Sequence, residues 1–184
     1  MSASAPTRVE VETELGSFTL AVDEANAPIS AGNFLAYVDG GHLDGSAVYR
    51  IVTMHNQPPE TPHKIEVIQW GWRLTNGTEP PFPPIPHEPT SQTGLRHLDG
   101  TLSMARRAPG TAGPGFFICR GDQPELDEGG GRNPDRAGFA AFGQLVSGRQ
   151  TIESLFARAT SKEYLETPIR IVRVARMASP DAAR

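Results

Sequence analysis

Leu102-Ser103-Met104-Ala105-Arg106 and Phe116-Phe117-Ile118-Cys119 are two sheet-compatible apolar runs separated by Arg107 to Gly115, a loop holding three glycines and two prolines. Such a loop cannot continue either run. Proline fixes φ and lacks an N–H, and glycine admits backbone conformations that other residues avoid. The stretch reads as a pair of strands carrying a shaped connection, with an aromatic pair at its exit. On these residues alone, a core hairpin with a disordered connection fits equally well.

Similar short runs recur on both sides. Arg8 to Leu15 alternates polar and apolar residues, Gly16-Ser17 suits a type II′ turn, and Phe18 to Val22 alternates again, which predicts a hairpin. The period then changes. Asn26 can cap a helix, Pro28 fits its first turn, Ala31, Phe34, Leu35 and Val38 form one face, and Gly40-Gly41 supplies the stop. Residues 47–52, 65–70 and 139–146 read as strands, and 149–159 reads as a second amphipathic helix with Ile152, Leu155, Phe156 and Ala159 on one face. Residues 169–174 close the chain as a strand whose phase slips near Val172, as at a bulge. Arg50, in the middle of a strand, would ordinarily be a solvated charge. Seven or eight short strands with only two helices, not alternating as βαβ units, predict an antiparallel barrel plugged by the helices.

The segments between are loops. His55 to His63 reads as a surface loop, and 71–93 as a stiff extended strap around Pro80 to Pro86, preferred over a docking motif. Residues 120–138 contain Gly129-Gly130-Gly131 but neither a phosphate-loop ending nor calcium-loop spacing, so a flexible loop is expected. The net charge of -4 and the lack of a basic block speak against nucleic-acid binding. Arg170, Arg173 and Arg176 read as the wet face of the last strand. Cys119 is the only cysteine, so no intrachain disulfide forms, and its apolar run predicts a buried, inert thiol. His42, His55, His63, His87 and His97 match no metal-site spacing, so no metal is expected. No apolar signal core and no long apolar span is present, which sets the expectation of a cytoplasmic protein without membrane contact.

Taken together, Asn33-Phe34, Tyr49-Arg50-Ile51, Ile68-Gln69, Leu102-Ser103-Met104-Ala105, Phe116-Phe117-Ile118, Leu126-Asp127 and Phe142-Gly143 resemble the cyclophilins in order and spacing. The Pro-rich excursion and the Gly-rich insertion look like those of a bacterial branch. The resemblance implies a mainly β, closed eight-stranded antiparallel barrel capped by two helices. One domain over 8–177 is expected, with a flexible segment 1–7 and a tail 178–184. The implied activity is cis–trans isomerisation of X–Pro bonds in peptides and in unfolded or folding proteins, by a monomer with no cofactor or metal. By position, Arg50 matches the family's catalytic arginine and Gln69 the glutamine beside it. Val67, Phe116, Phe117, Leu126 and Phe139 fall at or beside the proline pocket, with Phe117 as its floor. Ala105 and Arg106 match residues whose backbone and side chain bind the peptide. The rim departs from the best-known pattern. Glu66 stands for a Phe, Gly115 for a Gln, Glu125 for a Trp or Phe, and Phe139 for a His. These changes keep open a second expectation, a proline-peptide binding module with weak or no isomerase activity.

Overall fold

In the computed structural model, which describes residues 4–73 and 78–178, the first alternating runs form a hairpin of β1 (Thr7–Thr13) and β2 (Gly16–Val22). Its turn is Glu14-Leu15, not the expected Gly16-Ser17, because Thr13 pairs with Gly16. Gly16 opens β2 at φ 129°, and Thr13 Oγ1 donates to its carbonyl at 2.8 Å while accepting from the Leu15 N–H at 3.1 Å. That φ is a glycine conformation, so the glycine serves the strand entrance instead of the turn.

Helix α1 (Pro28–Asp39) buries Ala31, Phe34, Leu35 and Val38, and Gly41 takes the left-handed stop at φ 70°. Asn26 does not cap it. The N-cap is Ala27, and Asn26 bonds back to the Asp23 carboxylate. The free N–H groups of Ile29 and Ser30 donate instead to the carboxylate of Glu88, at 3.1 and 2.9 Å. Glu88 is fully buried. A negative group at a helix N-terminus satisfies both the orphan donors and the helix dipole.

The remaining elements are β3 (Ala47–Val52), β4 (Val67–Gly71), a short helix α2 (Thr90–Thr93), β5 (Thr101–Met104), β6 (Gly115–Cys119), β7 (Ala141–Ser147), α3 (Arg149–Phe156) and β8 (Tyr164–Arg176). Every pairing is antiparallel, and the strands close in the order β1-β2-β7-β5-β6-β4-β3-β8. The eight-stranded barrel is therefore present, with a four-residue third helix that the sequence did not announce. Phe139 and Ala140 precede β7 instead of opening it. β8 is longer than expected, and Val172 is its bulge: Glu12 faces Arg173 and Thr13 faces Ile171, leaving one residue over.

Helix α1 packs on β7 and β8, and α3 on β2. The barrel interior is aromatic, with the Phe34 ring 4.9 Å from Phe116 and 5.9 Å from Trp70. The Pro-rich segment, of which residues 74–77 lie outside the described residues, behaves as a strap. Phe82 packs 5.0 Å from the Tyr37 ring, and the Ile85 N–H donates to the Ala112 carbonyl at 2.9 Å. The expected flexible loop 120–138 is instead tied down. It contains a 3-10 turn at Pro124–Leu126, Gly131 N–H donates to Glu125 Oε2 at 2.6 Å, and Gly129 N–H donates to the Arg136 carbonyl at 2.8 Å. Nor is 55–63 wholly a surface loop. Gln57 is buried and its amide bonds Thr53 and Ile65 backbone carbonyls. Residues 1–3 of the expected N-terminal segment and 179–184 of the tail lie outside the described residues.

Candidate active site

The two faces of β4, β5 and β6 divide the chemistry. Ile68, Trp70, Leu102, Met104, Phe116 and Ile118 point into the barrel core, while Val67, Phe117 and Cys119 join Val52, Ile65 and Leu126 in a second apolar cluster on the outer face. Alternation with period two produces this split. On β3 the alternation is broken. Val48 and Ile51 both face the core, and the register against β4 and β8 shifts between Val48 and Arg50. The extra residue of this bulge turns both Tyr49 and Arg50 to the outer face, where they line one cavity of about 690 Å³ with Val67, Gln69, Ala105, Phe117, Leu126 and Phe139.

Arg50 is fixed on two sides. Its NH1 donates to Gln69 Oε1 at 3.0 Å, and its Nε donates to Glu163 Oε1 at 3.2 Å, the NH2 group closing an ion pair with the same oxygen. The guanidinium carbon lies 5.4 Å from the Tyr164 ring. Gln69 in turn donates from Nε2 to the Tyr49 hydroxyl at 3.0 Å. Burial pushes the Tyr49 phenol above its ordinary range against the opposing Gln69 bond, so it stays protonated at neutral pH. These contacts use three of the five guanidinium N–H groups, so Arg50 retains donors for a ligand.

Beside Arg50 the cavity is apolar. Val67, Phe117, Leu126 and Ile65 form its wall, with Ala105 and Phe139 packed against them, and the Phe117 and Phe139 rings meet edge to face at 5.5 Å. Behind Phe117 lies His97, fully buried and stacked at 5.9 Å with the rings 16° apart. Its Nδ1–H donates to Asp127 Oδ1 at 2.7 Å, and its Nε2 accepts from Ser103 Oγ at 2.8 Å. Burial holds the imidazole pKa below its ordinary 6.5 despite the carboxylate, so the ring is neutral. Burial would raise the Asp127 carboxyl, but the hydrogen bonds from His97 and the Arg96 charge outweigh it and hold the group below its ordinary value.

Eight of the nine site residues expected from the sequence line this cavity. Phe116 does not. It is fully buried between Phe34 and Trp70, because adjacent residues of β6 face opposite ways, and its expected contact with substrate is withdrawn. Arg106 lines the cavity, but its side chain is not available as a donor. Its five N–H groups go to the Gly138 carbonyl twice, the Arg107 carbonyl and both Asp135 oxygens. The guanidinium lies over the Phe139 ring at 4.7 Å, so Arg106 clamps the 127–138 insertion onto the pocket wall.

Sequence reasoning missed Glu163, Tyr164 and Arg132. Glu163 and Tyr164 stand more than a hundred residues after Arg50, with no spacing signal between them. Arg132 comes from the glycine-rich insertion and donates from NH1 to Gln57 Oε1 and to the His63 carbonyl, both at 3.0 Å. Of the altered rim positions, Gly115 has the clearest cause. A Cβ there would lie 2.9 Å from the Tyr49 hydroxyl, which fills the space a side chain would need. Glu66 and Glu125 bond backbone N–H groups of Met54 and Gly131 instead of lining the cavity. Burial pushes the Cys119 thiol far up, which makes it a poor nucleophile. Among the described residues no three His, Cys, Asp or Glu side chains converge as metal ligands, and no helix is long and apolar enough to cross a membrane.

Comparison with known proteins places this geometry. The chain is 30% identical over 155 residues to peptidyl-prolyl cis-trans isomerase A of Dickeya dadantii, covering 84% of this chain and 73% of that protein. It is 28% identical over 167 residues to peptidyl-prolyl cis-trans isomerase cyp18 of Streptomyces antibioticus, covering 89% and 93%. The fold superposes on a crystal structure of a Cryptosporidium parvum cyclophilin type peptidyl-prolyl cis-trans isomerase with a TM-score of 0.72 at 20% identity, covering 95% of this chain and 99% of the other. The model of the family "cyclophilin type peptidyl-prolyl cis-trans isomerase/CLD" matches residues 8–176, and with the closed barrel and the outer-face cavity already in hand, the chain belongs to the cyclophilin-type peptidyl-prolyl cis-trans isomerases.

Proposed function

We propose that this enzyme accelerates X–Pro rotation by holding the proline ring in the Val67, Phe117, Leu126 and Phe139 hollow while Arg50 stabilises the twisted amide. The observation that carries this reading is a guanidinium, oriented by Gln69 and Glu163, in the same cavity as a proline-sized apolar wall. Burying a pyrrolidine ring at about 0.8 kcal/mol per CH₂ contributes roughly 2 kcal/mol of binding. That anchors the ring but does not lower the barrier, which is about 18–20 kcal/mol because rotation breaks amide resonance. Cis and trans differ by only about 0.5–1 kcal/mol, so the problem is kinetic.

Catalysis requires a contact stronger in the twisted form than in either planar form. In the twisted amide the prolyl nitrogen regains its lone pair and becomes an acceptor. The remaining N–H groups of Arg50 donate there. Because Glu163 and Gln69 hold the fork in place beforehand, little reorganisation is needed at the transition state. The Ala105-Arg106 backbone runs beside the peptide. No proton transfer and no nucleophile enters the scheme. The substrates are proline-containing peptides and unfolded or folding proteins, met by a monomer in the cytoplasm. A crystal structure of the Cryptosporidium protein was obtained in the presence of the dipeptide Ala-Pro, which agrees with this ligand class.

Cis–trans exchange of an Ala-Pro peptide, followed by NMR with and without the protein, tests the reading. Exchange faster by orders of magnitude at catalytic protein concentration is expected. Line-broadening from binding with no gain in cis–trans exchange would make the chain a proline-peptide binding module instead.

A further inference from the structure

Among the described residues five arginines line the cavity, Arg50, Arg73, Arg106, Arg107 and Arg132, and no Asp or Glu does, in a chain whose net charge is -4. Two of them are neutralised, Arg50 by Glu163 and Arg106 by Asp135. Arg73, Arg107 and Arg132 form no ion pair among the described residues. Arg73 and Arg107 are exposed. Arg73 lies 5.3 Å from the Tyr49 ring, which fixes its direction without neutralising it. Arg132 is half-buried and uses only NH1, on two neutral oxygens, so its Nε and NH2 donors have no partner among the described residues. Burial and the nearby Arg50 charge act against its protonation and outweigh the opposing pull of the Glu163 carboxylate, a cost that an arriving anion reduces.

The positions of these cations follow the strands. Val67 marks the apolar hollow at one end of β4. Gly71 ends the strand, and Trp72 follows with its N–H on the Pro114 carbonyl at 3.1 Å, which puts Arg73 at the far end. At about 3.3 Å per residue these ends are up to about 20 Å apart, room for several residues of extended peptide. Arg107 follows β5 across the groove, and Arg132 enters from the insertion on the Arg50 side.

We propose that the cavity selects X–Pro peptides carrying carboxylate side chains within two or three residues of the proline, read by Arg73, Arg107 and Arg132. This rests on the isomerase reading above. One exposed ion pair discriminates little, but three cations that form no ion pair of their own among the described residues, facing one walled groove, focus one potential along the peptide path. The discrimination is electrostatic, so it weakens as salt screens it.

The test uses the full chain and peptides that differ only in Glu against Gln, placed directly before proline, two residues before it, or two after it. Cis–trans exchange gives kcat/KM for each, at about 0.02 M and about 0.5 M salt, which span weak and strong screening. In at least one position the Glu peptide is expected to exceed its Gln counterpart by about fivefold at low salt, and to lose that margin at high salt. The double variant Arg73→Gln, Arg107→Gln should move the Glu/Gln ratio towards one, Arg132→Gln should do so independently, and Arg73→Lys with Arg107→Lys should retain it. Equal turnover of Glu and Gln peptides at all positions at low salt overturns the selectivity and leaves the isomerase reading standing. A Glu preference that survives all the Gln variants overturns the assignment to these arginines. Failure to turn over any peptide overturns the isomerase reading itself.

Discussion

Arg50 shows how far a single residue could be read. Its place in a strand was visible, and family resemblance marked it, but a charge in a strand is ordinarily solvated. What turns it into a directed group is the β3 bulge at Tyr49 and a carboxylate from the far end of the chain, Glu163. Glu163 also predicts a measurable effect. In Glu163→Gln the pair loses its charge and Arg50 loses its fixed direction, so kcat/KM should fall about tenfold, or about 1.4 kcal/mol. The loss should lie in kcat with KM nearly unchanged, because Glu163 orients Arg50, the proposed catalytic group, and is not among the residues of the apolar hollow. A change confined to KM would make it a wall residue. Arg106 was the opposite case. Its type and position suggested a peptide donor, and only a count of its five N–H bonds shows that none is left for substrate.

At the scale of elements, helix α1 was legible from its apolar period and its Pro and Gly ends, but its cap was not. Local sequence offered Asn26, whereas the groups that need a partner are met by Glu88 from the Pro-rich strap. A long-range cap leaves no pattern in sequence, since nothing in the spacing of two segments 58 residues apart marks it. Glu88→Ala should therefore destabilise the fold by about 2 kcal/mol, from lost capping and two buried donors left unpaired. Asn26→Ala should change little. Urea midpoints of the two variants check this, and equal shifts would return the cap to Asn26. The bulge at Val172 was visible as a phase slip because β8 alternates over many residues. The bulge at Tyr49 was hidden, since β3 is six residues long and mostly apolar.

The whole molecule joins the barrel to the site through His97. Its imidazole is buried behind Phe117 and bridges Asp127 to Ser103 on β5. Its folded pKa lies below the ordinary 6.5, so on acidification the unfolded chain takes up a proton that the folded chain resists. Stability should fall as pH drops below about 6.5 towards the folded value, and Asp127, also held low, adds its own loss below about 3.9. Thermal midpoints of the protein and of His97→Gln, taken from pH 7.5 to 5, check the first step. The variant should show a flatter profile, and an unchanged slope would assign the acid loss elsewhere. The closed barrel itself was legible from short alternating runs and punctuating glycines, because side-chain period and strand length are local properties.

The proposed mechanism rests on Arg50 lowering the barrier of a proline held by the apolar wall. The most direct measurement is Ala-Pro exchange by Arg50→Ala alongside the unaltered protein, with circular dichroism confirming the fold and peptide affinity measured separately. Loss of one preorganised donor at the reacting nitrogen predicts a rate reduced by about two orders of magnitude, with affinity changed by no more than a few fold. A folded Arg50→Ala protein that isomerises the peptide as fast as the unaltered one would contradict the mechanism.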